Sequence, residues 1–318
     1  MAGLRKERAG GACVAALWHC ARVLRGAVWA VALAAGVGTT AAAQGPGPAP
    51  LGQPLPRAVA EVPSVEQVAV AMQLGALADV VALEMARLPD PLSPLPKGIP
   101  DPGWAQIAAG IATPGRIARG MRRGIAEALA ARADAPAASL AEALAFWTSD
   151  LGRRAMALQL SARTVLADPA AEAAARAAFA EATARADPRA AQITRLAAAA
   201  DLVDPAVALS LNASLAMLRG LRDGGGMVPP PSDEALIAGL AAQEPMLRAE
   251  LAGWIEALLY LSCAGLSDGE VEVLIAATAT PGAHELAALV GRGAEAALTD
   301  VAAALGLASA ARASHSLP

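Results

Sequence analysis

The chain has 318 residues, of which 56% are hydrophobic and 3% aromatic, and it carries 25 basic and 29 acidic side chains. Charged residues make up 17%, below the roughly 25% of average proteins, which excludes a chain disordered by its charge. The composition also excludes collagen-like, coiled-coil and disulfide-scaffold proteins. Alanine is the best helix former, whereas strand-forming aromatic residues are scarce, so the composition predicts helices.

The first 43 residues have the organisation of a secretory signal peptide. Five basic residues lie between positions 5 and 25, and the apolar run GAVWAVALAAGVG follows at 26–38. Small residues then lead to a cleavage position between Ala43 and Gln44. The run is shorter than the roughly 20 apolar residues of a membrane span. We predict a signal peptide over 1–43 and a periplasmic protein, with an uncleaved anchor as the alternative.

Removal of the leader changes the charge and the cysteine content. The remaining residues have a net charge of −8, which argues against binding to nucleic acid through its phosphates. Cys263 is the one cysteine left, and its apolar surroundings predict a buried thiol. His284 and His315 are the only histidines after residue 43, and no cluster of His, Cys and carboxylate is present in the sequence. We expect no metal and no cofactor.

Helix-start signals recur along the chain after the leader. Ser64 with Gln67, and Ser139 with Glu142, match the capping box, in which two side chains satisfy free backbone groups. Six further starts place Asp or Thr before proline: Asp101-Pro102, Thr113-Pro114, Asp168-Pro169, Asp187-Pro188, Asp204-Pro205 and Thr280-Pro281. These signals predict about eleven helices. Because no segment alternates with period two, we predict an all-α helical bundle without a sheet.

The order of predicted helices repeats. Starts near 101, 114, 139 and 152 recur near 232, 245, 267 and 282, at offsets between 128 and 131. We therefore predict two related multi-helix modules that bury their apolar faces against each other. The predicted organisation is a signal peptide (1–43), a Pro-rich linker (44–63), a first helical module (64–167), a connecting helix (168–186), a second helical module (187–307) and a disordered tail (308–318).

One segment of each module resembles a known family. Residues 140–155 read LAEALAFWTSDLGRRA, and residues 266–286 read LSDGEVEVLIAATATPGAHEL. Both resemble the signature of the bacterial family known as domain of unknown function 2059, in which an aromatic pair, a Ser-Pro-like turn and a glycine join two helices. The residues that match are Phe146, Trp147, Ser149 and Gly152 in the first copy, and Pro281 and Gly282 in the second. The resemblance implies a secreted helical protein and implies no activity.

The first copy of the motif supplies candidate binding residues. Phe146 and Trp147 either fill the angle between two helices or form an aromatic platform for a ligand. Ser149 is expected to cap the second helix, and Gly152 to remove side-chain bulk at the joint. Arg153 and Arg154 open that helix, where the macrodipole disfavours cations. They are either a plain exposed pair or contacts to an anion or an acidic neighbour.

A basic helix face is the other candidate surface. In the helix predicted over 113–133, Arg116, Arg119 and Arg123 fall opposite an apolar stripe at 100° per residue. This face is either solvated surface or a site for anionic lipid or a cell-wall polymer.

These features together predict a non-catalytic periplasmic module that binds an unknown protein or an envelope component. The predicted binding place is a groove between the two modules. After signal cleavage, no transmembrane span is expected. The alternative is a carboxylate-dependent hydrolase of an envelope polymer, which rests on the abundance of Glu and Asp.

Overall fold

The computed structural model describes residues 63–96, 99–132 and 138–315, and within these ranges the chain is helical, without any strand. The predicted all-α class is confirmed. The signal peptide, the Ala43–Gln44 junction and the linker as far as residue 62 lie outside the described residues. Within the described ranges, thirteen helices follow one another: α1 (Val65–Ala71), α2 (Leu74–Ala86), α3 (Pro102–Ile111), α4 (Pro114–Ala130), α5 (Ala138–Trp147), α6 (Asp150–Leu166), α7 (Pro169–Ala184), α8 (Pro188–Ala199), α9 (Val203–Asp223), α10 (Asp233–Ala241), α11 (Glu244–Cys263), α12 (Asp268–Thr278) and α13 (Pro281–His315).

Two helices organise the packing. The 35-residue helix α13 packs against α9, α4 and α5, and α11 packs against α6, α7, α8 and α9. One large apolar core runs through these contacts, and a smaller cluster of leucines with Met227 lies around α9 and α10. Small residues allow the close approach of α13, because a Cβ at Gly120 of α4 would lie 2.8 Å from the Cα of Ala297.

Side-chain caps start many of the helices as the sequence predicts. The Asp101 carboxylate accepts a hydrogen bond from the Trp104 backbone N–H at 3.1 Å, and proline occupies the first position of α3. The start of α9 differs from the prediction at Asp204-Pro205. This helix begins before that signal, at Val203, and Asp204 lies in its first turn, where its carboxylate binds Arg248.

The first two described helices, α1 and α2, follow each other directly in the chain and meet at 69°. The break lies at Gln73, whose backbone is left-handed with φ of 48°. Its side-chain Nε2 donates to the Arg153 carbonyl at 3.1 Å, so the joint is tied to the start of α6. No glycine or proline occupies this joint, and the bend therefore arises from tertiary packing that the local sequence does not reveal.

The C-terminal segment also differs from the prediction. Helix α13 continues to His315, through residues 308–315 of the predicted disordered tail. Ser309 is fully buried and its hydroxyl donates to Asp90, while Arg312 Nη1 lies 2.7 Å from an oxygen of Asp101. Both partners lie between α2 and the start of α3, at the other end of the described sequence. The sequence alone therefore does not predict the extra turns.

The expected absence of a transmembrane span is wrong. By its length of 35 residues and its apolar composition, α13 could cross a membrane. The bent pairs α1–α2 and α8–α9 raise the number of candidate spans among the described residues to three if each pair counts as one span. Half of the most apolar stretch of α13 is buried inside the protein. The sequence prediction required an uninterrupted apolar run, whereas α13 distributes alanine and leucine among five charged residues over 35 positions.

The starts of four helices recur in a second set of four helices, 130 or 131 residues later in the chain. Helices α3 to α6 begin at positions 102, 114, 138 and 150, and helices α10 to α13 begin at positions 233, 244, 268 and 281. A bent helix pair precedes each set, α1–α2 at 69° and α8–α9 at 60°. The two joints contain Gln73 and Asp201, both with a left-handed backbone. Helix α7 lies within the range 168–186 that was predicted as a connecting helix.

Candidate functional site

An open groove of about 810 Å³ lies between α1 and α5. Its volume falls in the range of pockets that enclose small ligands. The groove lies within the first half of the chain, whereas the sequence analysis expected a groove between the halves. One wall belongs to the start of α1, and the other to α5 and the residue that follows it. The lining residues are Pro63, Ser64, Glu66, Gln67, Val70, Ala141, Leu144, Ala145 and Thr148.

The α1 wall combines a capping box with one acidic and one apolar side chain. Gln67 N–H donates to the Ser64 hydroxyl at 3.2 Å, and Ser64 N–H donates to the Gln67 side-chain oxygen at 2.7 Å. Glu66 lies 3.7 Å from Arg122 of α4, and the Glu66 side chain is exposed while that of Arg122 is partly buried. Val70 is 63% exposed although it is fully apolar. This wall therefore offers apolar surface and a carboxylate to a ligand.

The α5 wall is mostly apolar. Leu144 is buried and forms part of the core, while Ala145 is exposed and adds little bulk. The Thr148 hydroxyl donates to the Leu144 carbonyl at 2.8 Å, which satisfies it within its own helix. This wall therefore presents small apolar groups above a leucine.

The turn between α5 and α6 fixes one end of the groove. Ser149 caps α6, as predicted, because its hydroxyl accepts from the Gly152 N–H at 3.2 Å. A Cβ at Gly152 would lie 2.7 Å from the Trp147 Cα, so the two helices approach too closely for a side chain there. The turn of the family-like segment therefore forms the joint beside Thr148, and the helix before that turn supplies Ala141, Leu144 and Ala145 to the groove.

The aromatic pair fills space between helices. Trp147 is buried, Phe146 is half-buried, and their rings meet edge to face at 81° with centroids 5.1 Å apart. Neither ring lines the groove. This geometry corresponds to the packing interpretation of the pair.

The two arginines at the start of α6 both have local partners. Arg153 binds the Asp150 carboxylate and the Thr148 carbonyl. Arg154 binds Glu270 at the start of α12, so it joins the two halves of the chain. Backbone and side-chain hydrogen bonds from Ser267, together with Arg154, lower the pKa of Glu270 to about 2. An acidic neighbour is thus the partner of Arg154.

The predicted basic face on α4 is largely neutralised. Arg116 Nε lies 2.8 Å from Asp300 of α13, and this contact lowers the pKa of that carboxyl. Arg123 lies 4.0 Å from Glu127. In the described part of the chain, Arg119 is exposed and makes no ion pair. The face is therefore a mixed surface with one free cation among these described arginines.

The second copy of the motif serves packing. Pro281 begins α13, and Gly282 sits directly against the Ser139 carbonyl at the start of α5. Cys263 is buried, as predicted, and burial raises the pKa of its thiol to about 11. The His284 ring nitrogen lies 3.3 Å from the Ala199 carbonyl.

A buried ion pair joins Arg163 of α6 to Glu84 of α2. Arg163 Nε and Nη2 donate to the two carboxylate oxygens of Glu84 at 3.1 and 2.6 Å, and the Arg163 side chain is 1% exposed. The Arg163 guanidinium also lies 5.9 Å from the ring centroid of Trp254 on α11. Burial raises the pKa of Glu84, and Arg163 opposes that rise. No local signal predicts a pair whose members belong to α2 and α6, with three helices between them in the chain.

Among the described ranges, no group of three or more His, Cys, Asp or Glu side chains is placed to hold a metal ion. Comparison with known protein families, with curated proteins and with solved structures found no match to the chain. The resemblance to domain of unknown function 2059 therefore stays a prediction.

Proposed function

We propose that the protein is an exported, non-catalytic helical module that binds a partner in the groove between α1 and α5. The open groove carries this proposal. It combines exposed Val70, a leucine at its base and polar groups along one wall. Apolar surface inside a concavity gives binding energy, while a few polar groups fix orientation.

The walls of the groove are well supported, which favours a preformed site. The α1–α2 joint is bonded to the start of α6 through Gln73, and α5 is bonded to the same place through the Ser149 turn. A site whose walls are already ordered loses less entropy on binding. Binding should therefore proceed without a large rearrangement of α1 or α5.

We also propose that the two halves descend from one duplicated unit. The repeated helix spacing and the two bent joints support this proposal. Packing between the halves supports it further. Helix α4 packs on α13, the last helix of the second set, and the corresponding helix α11 packs on α6, the last helix of the first set. Under this proposal, α8 and α12 occupy the positions in the second half that α1 and α5 occupy in the first.

Filling the groove tests the binding proposal. Ala145→Trp places a large ring in the groove, and Ala174→Trp places the same ring on an exposed position of α7. Partners that wild-type protein retains from periplasmic extract should be lost with Ala145→Trp and kept with Ala174→Trp. Equal retention by both variants would contradict a role for this groove.

Export has its own test. Mass spectrometry of the protein recovered from the periplasm should find Gln44 as the first residue. Full-length protein in the cytosol would contradict export. Carbonate extraction of the membranes in the same experiment measures whether the protein is embedded in a bilayer. This measurement is needed because α13 is long and apolar enough to cross one.

A further inference from the structure

The charge around the groove indicates what kind of partner it takes. Among the nine described lining residues, Glu66 is the one charged side chain, and no lining residue is basic. Glu142 lies next to Ala141 and one turn from Ala145 on α5, is exposed, and contacts no partner within the described ranges. The groove is thus lined by apolar groups and by the Glu66 carboxylate, whose charge Arg122 partly offsets, and the exposed Glu142 follows the lining residue Ala141 in α5.

The corresponding place in the second half shows what such a carboxylate does. Glu272 occupies the same position within α12 that Glu142 occupies within α5, counted from the first residue of each helix. Arg195 Nη1 of α8 donates to Glu272 at 3.1 Å, and Gln192 Nε2 donates to it at 2.8 Å. Together with the packing of α8 against α12, these bonds close that side of the molecule.

Within the described ranges, the first half lacks the groups that would close its groove. Gln192 and Arg195 lie nine and six residues before the left-handed Asp201. Ser64 and Gln67 lie nine and six residues before the left-handed Gln73, so they take the corresponding places in the first half. Both of these side chains are used in the capping box of α1. Glu142 therefore has no internal arginine to pair with in the described structure, although its counterpart has one. An external arginine or lysine would complete the same arrangement.

We propose that the α1–α5 groove binds an amphipathic helical segment of a partner protein that carries arginine or lysine beside its apolar face. The proposal rests on the binding function above. A helix lays its apolar face in a groove, here against Val70 and Leu144, and flanking charges fix its register. Arginine suits Glu142 because its planar guanidinium donates two parallel hydrogen bonds to a carboxylate.

Selection from a random displayed-peptide library on the mature protein tests this proposal. Peptides recovered on wild-type protein should carry arginine or lysine among apolar residues at helical spacing. Their affinity should fall about tenfold with Glu142→Arg, because a repulsive charge replaces an attractive one at the edge of the groove. Asp79→Arg, which makes the same change at an exposed position of α2 outside the groove lining, should leave the affinity unchanged.

Two contrary results are distinguishable. Uncharged or acidic peptides that are lost with Ala145→Trp would overturn the cationic-segment proposal and leave the groove as a binding site. The same holds for basic peptides that bind Glu142→Arg as well as wild type. Peptides that bind Ala145→Trp normally, or failure to select any peptide, would overturn the binding function itself.

Discussion

Glu270 joins a helix cap to a contact between the two halves of the chain. Its carboxylate accepts from the Ser267 backbone N–H at 2.8 Å and also binds Arg154. Because its folded pKa of about 2 lies below the ordinary value of 4.5, its ionised form stabilises the fold above pH 4.5. That contribution is lost as the pH falls towards about 2.

The variant Glu270→Gln keeps an acceptor for the cap and removes the charge. At pH 7 it should be less stable than wild type, and the difference should shrink steadily between pH 5 and pH 2. Urea denaturation of both proteins at several pH values measures this difference. A constant difference over that range would contradict the assigned ionisation.

The buried pair of Arg163 and Glu84 makes a pH prediction that lies in a higher pH range. Arg163→Met leaves a buried carboxylate without its guanidinium and should cost about 3–5 kcal/mol at neutral pH. Because burial then raises the pKa of Glu84 further, protonation should relieve the loss, making it smaller at pH 5 than at pH 8. The double variant Arg163→Met with Glu84→Leu should lose much less stability. Equal losses in the single and double variants would contradict this account.

Residue-level inference succeeded where a role depends on near neighbours. Ser149 was identified as a cap, and its partner is three residues away. Cys263 was identified as buried from its apolar surroundings. Glu84 and Arg163 could not be paired, because nothing in either local sequence records the other. The same limit applied to the groove, which depends on how α1 crosses α5.

At the scale of elements, the contact of α4 with α13 depends on glycine. A Cβ at Gly120 would lie 2.8 Å from the Cα of Ala297, a backbone atom that can move only with its whole helix. Gly120→Ala should therefore destabilise the protein by about 1–3 kcal/mol through overpacking.

The matched control for Gly120→Ala is Gly110→Ala in α3, where a Cβ would meet nothing within 4 Å. This substitution should be neutral or stabilise the protein by up to about 1 kcal/mol, because alanine is the better helix former. Thermal and chemical denaturation measure both effects. Similar stability changes in the two variants would show that α4 and α13 are not packed so closely.

Helix starts were more predictable than helix breaks. Caps such as Asp101 and Ser267 act on the backbone within three residues, so their signals are readable in the sequence. The break at Gln73 and the continuation of α13 past residue 308 depend on distant partners. The membrane-length character of α13 was missed because its apolar content is spread over 35 residues without a continuous run.

At the scale of the whole molecule, two similar sets of helices differ in how they meet at one edge. In the second half, Arg195 and Gln192 hold α8 against Glu272 of α12. In the first half, the groove remains open between α1 and α5. The constant offset between the two sets of helix starts was readable in the sequence. The groove was not, because it follows from side chains that the described part of the first half lacks.

The most direct test of this account is hydrogen–deuterium exchange of the protein from Gln44 onward, with and without a saturating selected peptide. Binding should slow amide exchange in 64–72 and 141–148, because both walls of the groove then become covered. Exchange in α8 and α12 should not change. Protection in those two helices, or on the arginine face of α4, with no change along the groove, would contradict the account.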